Sequence, residues 1–293
     1  MRRGFTLIEL LVVITVIGIL AAVVVVNMSG GMDRANITKG QAFSEKIGGE
    51  LAGSLVSEWR FDEGAGSTAR DAWGANSGTL SDSSMWRSGG DCVSGNCLEF
   101  NGTSDYVDCG NDESLYIPSL LTIEAWIKLN NDYTSTQAII SNVQSNGGNS
   151  TYGLELGRTD NKFSFLHMGS IVATSALTIS DNNWHHVVAT QTGSSGDWDI
   201  TFYLDGVFSN TDNTVIDPGL GGNTVIGRHG DYLGPQYFDG LIDEVRIYNN
   251  AADLTQVQSH YLAGLDRLLS NGAISKSEYN QRTKKLNQEM VIK

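Results

Sequence analysis

Residues 121–129 read LTIEAWIKL, nine residues in which Thr, Ile and Trp are concentrated and Glu124 is the lone acid. Branched and aromatic side chains fit a pleated, half-buried surface, so the stretch predicts a strand. Working outward, similar short runs recur on both sides. SEWRF, CLEF and DYVDC precede it; QAIIS, TYGLEL, KFSFLH, IVATS, WHHVVATQ, DITFYLDG, NTVIG and YFDGLIDEVRIY follow. Gly, Asn, Asp and Ser clusters separate these runs, and the chain holds 34 glycines against 3 prolines. About a dozen strands without crossover helices argue against a parallel α/β fold and predict a mainly β protein, an antiparallel two-sheet sandwich.

Both flanks change pattern. Residues 4–26 read GFTLIELLVVITVIGILAAVVVV, and Phe5 to Val26 is a 22-residue apolar run interrupted by Glu9. As a helix it would be ~33 Å long at ~1.5 Å per residue, enough to span a bilayer. Arg2 and Arg3 on the short flank place that end in the cytoplasm and everything after Val26 on the exported side. Phe43, Ile47, Leu51 and Leu55 then recur every four residues, one apolar stripe expected to pack on the globular domain. At the other end, LTQVQSHYLAGLDRLLS, NGAI and SEYNQRTKKLNQEM predict a helical hairpin with a capping box at Ser275 and Glu278. Its Leu265, Leu268 and Leu269 form an apolar face expected to dock on the sandwich.

The 293-residue chain carries a formal charge of -14, which excludes a nucleic-acid binder, since phosphate contacts are made mostly by Lys and Arg. Of 3 cysteines, Cys92 and Cys97 share the glycine-containing DCVSGNC loop, where a disulfide fits and would imply an oxidising, extracytoplasmic setting. Three reduced thiols are the alternative.

The segment RRGFTLIELLVVITVIGILAAVVVV resembles the N-terminus of type IV prepilins and pseudopilins. That resemblance implies a leader of residues 1–4 cut after Gly4 by a prepilin peptidase, with methylation of the new N-terminus at Phe5. An ionisable group in hydrocarbon costs about 2.5 kcal/mol or more and marks a function or a partner. The family implies the partner: Glu9 neutralises the N-terminal amine of a neighbouring pilin-like subunit as helices stack into a filament. A plain signal anchor, with Glu9 near the headgroups, is the alternative.

EWRFDEGAGSTARD, LEFNGTSDYVDCG, LTIEAWIKL, NWHHVVATQ with ITFYLDG, and YFDGLIDEVRIYNNA together resemble the laminin-G-like, concanavalin A-like jelly-roll family. The expected organisation is therefore a pilin-type helix over 5–55, membrane-spanning over 5–26, a jelly roll over 56–250 and the hairpin over 251–293. Such sandwiches host lectins, adhesion modules, calcium-bound receptors and glycosidases alike. A glycosidase needs two carboxylates flanking its substrate, ~5–9 Å apart, and no strand here carries the Glu-x-Asp-x-Glu spacing that would set them on one face. No catalytic residue is assigned. The expectation is a surface-displayed subunit for adhesion or carbohydrate binding, with a purely structural filament subunit or an anchored glycosidase as alternatives.

His185 and His186 alternate on a strand, so one ion cannot take both. In LIDEVRIY, Asp243 shares a face with Leu241, Val245 and Ile247, and a buried carboxylate needs a partner. The first and last strands of the resembling family lie close, which brings Asp62 toward Asp243. Oxygen ligands beside a glycine-rich turn suit calcium there, with Asn101 or Asp105 as a rival site. Backbone hydrogen bonds to Asp243, or pairing with Arg60, are equally compatible. For sugar contacts the loops offer Trp73, Trp86, Tyr133, Tyr152, Tyr232 and Tyr237.

Overall fold

The computed structural model describes residues 51, 53–130, 136–143, 150–157, 161–167, 170–194, 196–215, 221–229 and 236–291. Gly4, Phe5 and Glu9, the apolar span, Phe43, Ile47, Tyr133 and Tyr232 lie outside them. In chain order the strands begin with β1 (Leu55–Trp59), β2 (Thr68–Ala69), β3 (Gly78–Leu80), β4 (Trp86–Ser88), β5 (Asn96–Asn101), β6 (Val107–Asp108) and β7 (Leu121–Leu129). Next come β8 (Gln137–Val143), β9 (Ser150–Leu156), β10 (Lys162–His167) and β11 (Ser170–Thr178), then β12 (His185–Ser194), β13 (Asp197–Leu204) and β14 (Val207–Thr214). Finally, β15 (Asn223–Ile226), β16 (Arg228–His229), β17 (Gln236–Tyr237) and β18 (Asp239–Tyr248) lead into helices α1 (Leu254–Asn271) and α2 (Lys276–Val291).

The first sheet has the order β14-β13-β12-β7-β18-β5-β4, with β1 paired to β18. The second runs β11-β10-β9-β8-β15-β6-β3-β2, and β16 and β17 form a small ribbon. Pairing is antiparallel throughout, and the close approach of first and last strands is realised by Trp59 opposite Val245. On β7 the alternation is clean: Leu121, Ile123, Ala125, Ile127 and Leu129 enter the core between the sheets. Glu124 and Trp126 point to the outer face, yet both are buried because the hairpin covers it.

Strand β18 departs from simple alternation. Its register against β7 shifts between Asp243 and Arg246, and Glu244 has a left-handed φ of 51°. One inserted residue switches the faces that follow it. Ile242, Val245 and Ile247 therefore enter the core while Leu241 joins the cluster under the helices. The expectation that Leu241, Asp243, Val245 and Ile247 share one face is corrected by this bulge.

Helix α1 starts at Asp253, whose side chain and that of Gln256 cap each other's backbone N–H, and it ends at Gly272 in the left-handed conformation. In α2 the expected capping box is half formed. The Glu278 backbone N–H donates to Ser275 Oγ (3.1 Å), but the Glu278 carboxylate accepts from Arg282 (2.7 Å) instead of reciprocating. Leu265 and Leu268 are fully buried against Trp126, Trp184 and Leu241, with Leu269 packed at the margin, so the hairpin docks on the sandwich as its apolar face requires. Beside them Cys92 and Cys97 form the expected disulfide with Cα atoms 5.4 Å apart, and Cys109 is free and buried. Asn271 ties this loop to α1 by donating to the carbonyls of Gly89 (2.8 Å) and Cys92 (3.2 Å). Leu51 packs with Val188, Tyr248 and Val257, on the same outer face as α1.

Gly264 sits where α1 crosses the Trp126 indole, and a Cβ there would come within 2.2 Å of the ring. An exposed helical Gly→Ala change stabilises by up to about 1 kcal/mol. Here the overlap reverses the sign, and Gly264→Ala is expected to destabilise by ~1–3 kcal/mol. Thermal unfolding followed by circular dichroism reads this directly as a fall in melting temperature.

Candidate functional site

Two polar clusters sit between sandwich and hairpin. The first is buried at its centre and closed at its edges by the exposed Arg60 and Arg267. Arg246 on β18 donates to Glu58 on β1 (2.7 Å) and Glu124 on β7 (3.1 Å), and pairs with Glu244 of the bulge. Arg60 closes on Glu58 at 2.6 Å, and Arg267 of α1 donates to Glu244 at 2.5 Å. Glu124 also accepts from Tyr248 Oη (3.0 Å) and meets His260 Nδ1 of α1 at 2.8 Å. Burial opposes the charge on Glu124, but His260, His186 and Arg246 outweigh it and hold its carboxyl well below the usual range. Three carboxylates thus converge on Arg246, each buried and paired; Glu124 and Glu244 also hold α1 down through His260 and Arg267.

The second cluster borders an open cleft of about 510 Å³ between the end of β12, the β13–β14 turn and α2. The LDGV stretch supplies the turn: Asp205 and Gly206 have φ values of 53° and 75°, as a two-residue hairpin with the twist of its strands needs. Tyr261 and Leu286 pack so closely on Gly206 that a Cβ would lie 3.0 and 3.1 Å from them. His185 is clamped between Asp205 (Nδ1 to Oδ2, 2.8 Å) and Asp181 (Nε2 to Oδ1, 3.0 Å), while Asp205 Oδ1 accepts from the His186 N–H (3.0 Å). Burial disfavours the imidazolium, yet the two carboxylates prevail and raise His185 to about 9. His186 faces the other way, its ring 5.2 Å from that of Trp126 under the helices. Across the cleft, Arg282 donates to the Trp184 carbonyl (2.6 Å) and to Glu278 (2.7 Å).

The expected calcium ligands arrange differently. Asp243 is fully buried, and its oxygens accept the backbone N–H groups of Val93 (2.9 Å), Ser94 (3.2 Å) and Glu244 (2.8 Å). Burial and the adjacent Glu244 raise its carboxyl, against the pull of those amides. Asp62 is exposed and touches Gly95 on the same disulfide loop. At the rival position, Asn101 Oδ1 accepts from the N–H groups of Thr103, Ser104 and Asp105, and Asp105 Oδ2 accepts from the Asn101 N–H. Oxygens already facing N–H groups offer a cation a poor set of donors. Among the described residues no group of three or more His, Cys, Asp or Glu side chains is placed to hold a metal.

Of the aromatic candidates, Trp73 is 57% exposed on its loop. Trp86 and Tyr237 are half-buried, and Trp86 donates to the Gly66 carbonyl (2.7 Å). Tyr152 is corrected: it lies on β9, fully buried in the core, with its hydroxyl donating to the Leu115 carbonyl at 3.1 Å. A period-2 strand facing inward removes it from any loop. Sequence reasoning missed Asp181, Asp205 and Arg282. The Asp-Gly turn was a readable signal for the second of these.

On the outer face of β9, Glu155 is buried and its Oε2 has no partner among the described residues, so desolvation raises it to about 7. Both Glu155 and His185 have folded values above their unfolded ones, so the stability each contributes is lost as pH rises. The window is about 4.5 to 7 for Glu155 and 6.5 to 9 for His185. At ~1.4 kcal/mol per pKa unit each step is worth on the order of 3–4 kcal/mol. Denaturant titrations from pH 5 to 9.5 are expected to show falling stability, flattened at the acid end by Glu155→Gln and at the alkaline end by His185→Gln.

Comparison with known proteins places this geometry. Residues 1–25 match the prokaryotic N-terminal methylation motif, and residues 101–258 match the model of the concanavalin A-like lectin/glucanases superfamily. No curated protein sequence matches the chain. Among solved structures, a Trypanosoma rangeli sialidase bound to 2,3-difluoro-KDN is similar at 14% identity and a TM-score of 0.57, over 77% of this chain and 38% of that one. The binding domain of Paraclostridial Mosquitocidal Protein 1 is similar at 17% identity and a TM-score of 0.56, over 74% of this chain and 53% of that one. The receptor binding domain of botulinum neurotoxin C/D mosaic serotype gives 14% and 0.52, over 72% and 52%. This chain spans 38% of the sialidase and about half of each toxin domain, and at such identities the likeness is one of fold. With more than half its length matched, the chain belongs to the concanavalin A-like lectin/glucanase superfamily.

Proposed function

We propose that this chain is a type IV pilin-like surface subunit whose jelly roll serves adhesion or carbohydrate binding. The observation that carries the reading is the methylation motif at residues 1–25 ahead of a lectin-type sandwich in one chain. A prepilin peptidase cuts after Gly4, the freed amine of Phe5 is methylated, and Phe5–Val26 holds the subunit in the membrane until it joins a filament. Glu9 then pairs with the N-terminal amine of a neighbouring subunit, so a charge that is costly in lipid is neutralised by assembly. The disulfide supports export to an oxidising compartment, because such bonds persist there and not in a reducing cytoplasm. The burial of Glu58, Glu124 and Glu244, each already paired with a cation, supports a binding role over a hydrolytic one, since glycoside cleavage needs two carboxylates flanking the substrate.

Mass spectrometry of the mature protein is expected to show N-methylated Phe5 as the first residue; an intact Met1 contradicts the reading. Glu9→Val is expected to leave the protein in the membrane fraction while removing it from sheared filaments. For the displayed domain, the full chain in detergent is screened on an oligosaccharide array with calcium and with a chelator. Binding only with calcium supports a structural ion near Asp62 and Asp243. Hydrolysis of arrayed sugars favours the glycosidase, and silence under both conditions favours a purely structural subunit.

A further inference from the structure

The cleft between β12, the β13–β14 turn and α2 is assigned no role by any family match, and it is open and lined mainly by polar side chains. Its volume of about 510 Å³ falls in the ~300–1,000 Å³ range of small-molecule sites. One wall is rigid: Asp205 is fixed in its turn, and His185 is held between it and Asp181 at 2.8 and 3.0 Å. The other wall is the first three turns of α2, where the exposed side chains of Ser277, Gln281 and Lys285 make no hydrogen bond among the described residues. Charge is balanced across the space. His185 is shared by two carboxylates, Arg282 is paired with Glu278, and Lys285 is the remaining cation.

An anion would meet Asp181 and Glu278, and a cation would meet Lys285 and Arg282; a neutral ligand with many hydroxyls meets neither penalty. Such a ligand can also donate to carboxylate edges and accept from Lys285 and Gln281 at once. By contrast, Trp73 stands without converging polar groups: Asp71 beside it already accepts from the N–H groups of Glu58, Trp73, Gly74 and Asn76. We infer that the carbohydrate site of this protein is the cleft between sandwich and hairpin, taking a neutral oligosaccharide, and that Trp73 is not part of it. This rests on the carbohydrate-binding reading above.

The test uses the full chain in detergent on an array of neutral, sulfated and uronate-containing oligosaccharides. Wild type is compared with Gln281→Ala/Lys285→Ala, with Ser277→Trp to fill the mouth, and with Trp73→Ala. Melting temperatures confirm that all four are folded. The inference expects neutral sugars to bind wild type and Trp73→Ala equally, and both cleft variants at least tenfold more weakly. Wild-type affinity in both cleft variants, a loss confined to Trp73→Ala, or a preference for acidic sugars overturns the cleft while leaving carbohydrate binding intact. No binding by wild type to any sugar contradicts the carbohydrate reading itself, and this inference with it.

Discussion

The structure depends on the burial of Arg246. Three strands distant in sequence deliver Glu58, Glu124 and Glu244 to it, and the bulge at Glu244 is what turns the third carboxylate toward the guanidinium. Buried ions are tolerated only when mutually paired, and breaking such a set costs ~3–5 kcal/mol because a charge is left uncompensated. Helix α1 completes the set with His260 and Arg267, so the sandwich cannot satisfy its own outer face without the hairpin. Apolar packing acts at the same place, where the rings of Trp126, His186 and Tyr261 pack against one another with centroids 5.2 to 6.3 Å apart and Trp126 bears directly on Gly264.

Function follows from that docking. Because α1 is pinned, α2 is held at a fixed distance from the β13–β14 turn, and the space between them becomes a cleft with a defined lining. Leu51 meets the same outer face, packing with Val188, Tyr248 and Val257.

Much of this was legible in the sequence, and the reasons are physical. LTIEAWIKL announces a strand through its composition, and its alternating apolar residues do enter the core. The Cys92–Cys97 pair and the docking of Leu265 and Leu268 followed from short spacing and from a helical stripe. What escaped was whatever depends on a single irregular backbone position or on distant pairing. The Glu244 bulge has no signal in LIDEVRIY, so Leu241 is expected on the core face with Val245 and Ile247, whereas it lies under the helices while those two do enter the core. Arg246 and Glu58 are 188 residues apart, and no local pattern links them. Asp181 and Asp205 looked like turn residues, which they are; their grip on His185 arises only when the two turns meet.

The central claim is that hairpin and sandwich are one cooperative unit. Amide hydrogen exchange of the full chain in detergent, read by mass spectrometry, tests it most directly. The account predicts that peptides from Leu254–Asn271 are protected as strongly as those from Leu121–Leu129 and Asp239–Tyr248, and that all three open together as denaturant is added. Exchange of α1 at low denaturant while β7 and β18 remain protected would contradict it.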